Sequence, residues 1–171
     1  MVDGHYQIAL PLKQKDIQMP NNRPQAEQRA AHLQRKFKRQ PSLQKEYTDY
    51  MGSMLSKGYM ERVPDEEARR DDGKLWYLPH HGVMHPQKHK LRVVCDCTAQ
   101  YGGVSLNKQL LQGPDLTNSL VGVLTRFRQD KVALMSDIEG MFSQVIVPRE
   151  DRDLLRLLWW DDGDIKKPLT G

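Results

Sequence analysis

Two apolar stripes at helical spacing, divided by one proline, set the first constraint on the fold. Ala26, Ala30, Leu33 and Phe37 recur at i, i+4, i+7 and i+11, and Leu43, Tyr47, Tyr50, Met51, Met54 and Leu55 resume the pattern beyond Pro41. Each stripe covers one face only, so the two predicted helices need a shared core. Pro41 removes an amide donor and stops the first helix. Asn21-Asn22 offers that helix an N-cap, with Arg23-Pro24 in its opening turn; Ser42 is a cap for the second, and Gly58 suits its C-terminal stop.

Strand signals follow the helices and do not alternate with them. "HYQIALPL" near the N-terminus reads as extended, and residues 59–64 as a short strand before a charged loop over 65–73. Residues 75–79 and 82–85 are short apolar stretches, and 91–97 reads as a strand with Val93 and Val94 at its centre. The turn over 86–90 predicts a hairpin with a basic tip. Leu116, Leu120, Val123, Leu124 and Phe127 form a third helical stripe, with Asp115 or Thr117 as its cap. The run Val132-Ala133-Leu134-Met135 predicts a buried strand ending at Ser136-Asp137, and 145–147 another strand. Residues 148–153 form a turn or short helix, and Asp161-Asp162-Gly163 a polar turn. Without a βαβ rhythm the fold class is α+β.

The chain has 171 residues, room for one domain with a real core. No run of about 18 apolar residues predicts a transmembrane helix, so no membrane partner is expected. The first ten residues lack a signal pattern, so the expected location is cytoplasmic, not secreted. Two cysteines, Cys95 and Cys97, exclude a disulfide framework. Net charge is +4, but it is unevenly spread: +6 over 1–45, −3 over 46–84, +4 over 85–131 and −5 over 137–164. Basic blocks around acidic ones suit a polyanionic partner near a metal site, and equally a solvated surface of uneven charge.

Two constellations could carry chemistry. His80, His81, His85 and His89 lie close in sequence to Cys95-x-Cys97, a zinc pattern on paper. Gly82 and Pro86 break any helix that would align the histidines, and Cys-x-Cys on a strand sends its thiols to opposite faces. Hairpin-surface histidines and a core cysteine are the better reading. Asp137 is the more informative acid. A carboxylate delivered by a buried strand is costly without a partner or a metal, and Lys90 and Arg92 precede it on a basic hairpin. A metal-bound carboxylate faced by cations is what a triphosphate needs.

The ordered blocks "WYLPHHGVMHPQKHKLRVVCDCTA", "SLNKQLLQGPDLTNSL", "LTRFRQDKVALMSDIEGMFSQV" and "DRDLLRLLWW" resemble the reverse transcriptase of BEL/Pao-type LTR retrotransposons, and "GHYQIALPLK" and "MPNNRPQA" resemble the segment before it in those polyproteins. The resemblance runs from about Gly4 to Trp160. It implies a right-hand polymerase, fingers plus partial palm. The N-terminal segment and fingers span 1–106, the start of the palm 107–147, and a second fingers segment 148–171. It implies Asp137 as the first catalytic aspartate, ligating magnesium with the carbonyl of Ile138. Phe142 matches the aromatic gate beneath the sugar, Arg92 the fingers arginine on the incoming dNTP, and Lys88 or Lys90 its companion lysine. The intact enzyme would take an RNA or DNA template-primer, in a virus-like particle where the retroelement is intact.

The departures are as specific. The family's second catalytic block, Tyr/Phe-x-Asp-Asp, is not among the 171 residues, and Asp161-Asp162 reads as a turn rather than a substitute. Two-metal phosphoryl transfer takes more than one carboxylate. Cys95 and Leu157 stand where the family usually has Phe, with an expected packing loss of roughly 1–3 kcal/mol each. The expectation is a fragment of an RNA-directed DNA polymerase, inactive alone, with a non-catalytic nucleic-acid-binding remnant as the alternative.

Overall fold

The computed structural model describes residues 4–87 and 90–171. Helices α1 (Arg23–Arg39) and α2 (Pro41–Ser56) form as the stripes predict, with Ala26, Ala30, Leu33, Phe37, Tyr47 and Met51 buried. Lys36, Lys38 and Arg39 in the last turn of α1 complement the negative end of its dipole. The caps differ from expectation. Asn22 occupies the N-cap position without a capping bond, and Asn21 Oδ1 instead accepts the Arg23 N–H at 3.1 Å. Helix α2 starts at Pro41 rather than after Ser42, because proline at the first helical position forfeits an amide that no helix would use.

The centre of the molecule is an extended segment that belongs to no regular sheet. Residues 75–79 are all buried. Leu75 and Tyr77 face one core cluster with Ala26 and Leu158, while Trp76 and Leu78 face a second with Ile17, Met19, Leu106 and Leu154. This period of two is that of a strand buried on both faces. One edge bonds to the chain around Arg156, through Trp76 N–H to Asp153 O at 2.9 Å, Arg156 N–H to Trp76 O at 3.1 Å and Leu78 N–H to Arg156 O at 2.7 Å. The other edge is met by the Asn22 side chain.

The expected hairpin is present as β2 (His80–Met84) and β3 (Leu91–Cys95), antiparallel. Its inner face lies on α2. Gly82 permits this approach, since a Cβ there would sit 2.7 Å from Leu91 Cδ1 and 3.3 Å from the Tyr47 ring. A third cluster joins Phe37, Tyr47, Leu91 and Trp160, with Phe37 edge-on to Tyr47 at 5.3 Å between centroids. Short elements close the body: β1 (Tyr6–Gln7), the four-residue α3 (Leu106–Gln109), β4 (Val145–Ile146), α5 (Arg149–Arg152), β5 (Trp159–Trp160) and β6 (Leu169–Thr170). β1 pairs with β4 in parallel, and β5 with β6 antiparallel.

Three strand and helix expectations are corrected. Residues 59–64 form no strand. The third helix, α4 (Leu120–Phe127), starts four residues later than its stripe and is capped by Ser119, whose hydroxyl accepts the Gly122 N–H. Asp115, one of the two expected caps, closes a local turn by accepting the Thr117 amide N–H instead. The buried strand over 132–136 does not form. A strand needs a ladder partner, and among the described residues none pairs with 132–136. Apart from Gly122, every residue from 111 to 142 is exposed, so this stretch stands outside the three clusters.

Candidate nucleic-acid interface

Asp137 ends no buried strand. It is exposed in an irregular segment, with Leu134 and Met135 just before it 92% and 91% exposed. Phe142, expected as the gate beneath a sugar, lies in a short 3-10 turn (Met141–Gln144) and is 89% exposed. Ile138 is exposed as well. Among the described residues no hydrogen bond or ion pair engages Asp137, and none links Arg92 or Lys90 to this segment. Lys88 lies outside the described residues.

The magnesium implied by the resemblance finds no built site in these residues. Glu139, the nearest acid in sequence to Asp137, extends into solvent, its carboxylate 3.9 Å from Lys57 Nζ. Among the described residues no three His, Cys, Asp or Glu side chains gather where they could hold a metal. Among the described residues of the zinc pattern no metal-holding group assembles, and His89 lies outside the described residues. His80 turns inward, its Nδ1 2.5 Å from Tyr47 Oη and its Nε2 3.0 Å from Leu158 O. The expected core cysteine at 95 is instead exposed, and Cys97 packs beside Trp76 and Leu106. Leu157, half-buried, packs against two of the three core clusters.

What the structure does assemble is a division among the cations. Around a cavity of about 520 Å³ between the end of α2, β4 and β5, the arginines are neutralised. Arg62 pairs with Asp161, Arg152 with Glu61 at 2.8 Å, Arg149 with Glu67, and Arg156 with Asp153 at 2.8 Å. Arg70 adds a second bond to Asp153 at 2.7 Å. Asp153 and Arg156 are themselves buried. Their signal in the sequence is Arg156 standing alone in an apolar run from Leu154 to Trp160, three residues after an acid. A buried guanidinium requires a partner close by.

On the opposite kind of surface the cations are unpaired. Arg29, Arg35, Lys36, Lys38 and Arg39 project from α1 into solvent, and no hydrogen bond or ion pair holds their side chains among the described residues. The one acid of α1, Glu27, is taken by Arg23 at 2.8 Å. The register His81↔Val94 and Val83↔Arg92 places these four residues on one face of the hairpin, and all four are exposed. Arg92 is thus displayed beside two exposed valines on the outer face. Among the described residues no helix is long and apolar enough to cross a membrane. Compared with known proteins, the chain matches no family model, no curated protein and no solved structure.

Proposed function

We propose that the chain is the fingers and early palm of a retroelement-type reverse transcriptase, and that in this form it binds nucleic acid without polymerising. The observation that carries the binding half is the contrast just described: arginines around the large cavity are matched by acids, while Arg29, Arg35 and Arg39 of α1 and Arg92 of the hairpin make no ion pair among the described residues. Unpaired, solvated cations are available to displace counterions from a phosphate backbone at little desolvation cost. Exposed valines beside Arg92 add apolar contact for sugars or bases, a sequence-tolerant form of grip. The lineage half rests on the ordered motifs and not on the geometry of Asp137.

Binding is tested by titrating a labelled single-stranded oligonucleotide at several salt concentrations. The logarithm of affinity is expected to fall linearly with the logarithm of salt, by about 0.7 per phosphate contact. A salt-independent isotherm would count against the reading. Polymerisation is tested by primer extension on a primed RNA template with magnesium. No extension is expected. Extension abolished by Asp137→Asn would restore the enzyme.

A further inference from the structure

Between α1 and the start of β2 lies a second, smaller cleft of about 220 Å³. Arg29, His32 and Lys36 line one wall, at the i, i+3 and i+7 spacing that makes a single ridge. Pro79 and His81 line the other, and Asp96, just beyond β3, is its one acid. Among the described residues no hydrogen bond or ion pair engages the side chains of His32, Lys36 or His81. Asp96 is committed: its Oδ1 accepts the Thr98 hydroxyl at 2.6 Å and the Thr98 N–H at 3.1 Å. Those bonds, led by the hydroxyl, hold its carboxyl below the usual range, and Arg29 adds to the effect.

We propose that this cleft seats one phosphate of a polynucleotide backbone, gripped by Arg29 and Lys36, with His32 and His81 flanking it. The proposal rests on the nucleic-acid reading above and assigns it a fixed point. An Arg fork and a Lys point charge converging on one cleft suit tetrahedral phosphate oxygens. The continuity of the surface selects a polymer over an isolated anion. His81 belongs both to the cleft wall and to the exposed hairpin face, so a strand leaving the cleft meets Val94, Val83 and Arg92 in succession. Asp96 faces the same space with a negative charge and lowers the affinity.

The test uses the full chain and a fluorescein-labelled single-stranded oligonucleotide, read by anisotropy. Arg29→Glu and Lys36→Glu are each expected to weaken binding about tenfold and to reduce the salt slope by about one. Arg35→Glu and Lys38→Glu make the same charge change elsewhere on α1 and are expected to cost several-fold less. Asp96→Asn keeps the acceptor for Thr98, removes the charge, and is expected to tighten binding. Unchanged melting curves for the exposed positions 29, 35, 36 and 38 separate lost contact from lost fold. If the wild type fails to bind, the nucleic-acid reading falls. If it binds but cleft and control reversals lose equally, or Asp96→Asn weakens it, the cleft is overturned while the broader reading stands. Inorganic phosphate is expected to compete no better than its ionic strength allows. Phosphate displacing the oligonucleotide beyond that, with the effect lost in Lys36→Glu, overturns the polymer in favour of a free-phosphate site.

Discussion

The side-chain amide of Asn22 mimics a neighbouring strand for Tyr77: its Nδ2 donates to Tyr77 O at 2.7 Å and its Oδ1 accepts the Tyr77 N–H at 2.8 Å. Asn22 is fully buried, and it supplies both partners that the free edge of the 75–79 segment lacks. The first residue before α1 is thereby fastened to the centre of the molecule.

Replacing Asn22 by Ala leaves a buried N–H and a buried C=O unpaired. The expected loss is about 2–4 kcal/mol, roughly 1–3 for each orphaned group after partial relaxation. Urea melts of Asn22→Ala and of the exposed control Gln28→Ala measure it. A loss below about 0.5 kcal/mol would mean that water enters the site and that the strand-like bond pair is dispensable.

His80 couples the fold to acid. Burial is the main influence lowering its pKa, opposed by the bond to Leu158 O and reinforced by nearby His81. With Nε2–H donating to Leu158 O, Nδ1 is left to accept from the Tyr47 hydroxyl, so the ring is neutral in the folded state. The unfolded chain therefore binds a proton that the folded one refuses. Stability is unaffected well above the unfolded value of about 6.5 and declines as pH falls below it. The melting temperature is expected to drop between about pH 7 and pH 5, and His80→Gln to flatten that part of the profile. An equally steep profile in the variant would place the acid sensitivity elsewhere.

Gly163 sits at φ +71 against Thr48, whose Oγ1 and Cγ2 occupy the space a Cβ would need. Gly163→Ala is expected to destabilise by more than about 1 kcal/mol, from backbone strain and overlap together. In a Thr48→Ala background the cost should shrink but not vanish. Gly103, at φ +81 with nothing near its missing Cβ, isolates the strain alone. Equal costs at 163 and 103 would show that Thr48 simply moves aside.

Phe142→Ala and Leu134→Ser are expected to change stability by less than about 0.5 kcal/mol, because both side chains already lie in water. Phe37→Ala, with no exposed surface, is expected to cost about 3–5 kcal/mol. Calorimetry on the three variants decides whether 132–142 carries any of the core.

The helices α1 and α2 and the hairpin were legible because their patterns are local. Ala26 through Phe37 need only a period, and the hairpin needs two apolar stretches with a turn between them. The Asn22–Tyr77 pair spans 55 residues and leaves no periodic trace. Asp137 shows the reverse failure. Its four apolar predecessors have the composition of a strand, but strand formation depends on a partner edge, and composition does not report partners. For the same reason the resemblance at Asp137 and Phe142, read from local sequence, carries no information about whether the two side chains meet.

The stretch from 111 to 142 leaves the body beside Pro11, where Leu111 N–H meets Pro11 O at 2.7 Å, and rejoins it at β4 against β1. Both attachment points lie on the N-terminal strap, and none of the three apolar clusters includes a residue between them. The body is thus two interlocking parts joined by a stretch that adds no residue to the three apolar clusters. Synthesised separately, residues 4–110 and 143–171 carry every residue of the three apolar clusters, and mixing them is expected to re-form the edge between Arg156 and the 75–79 wall, a case of fragment complementation.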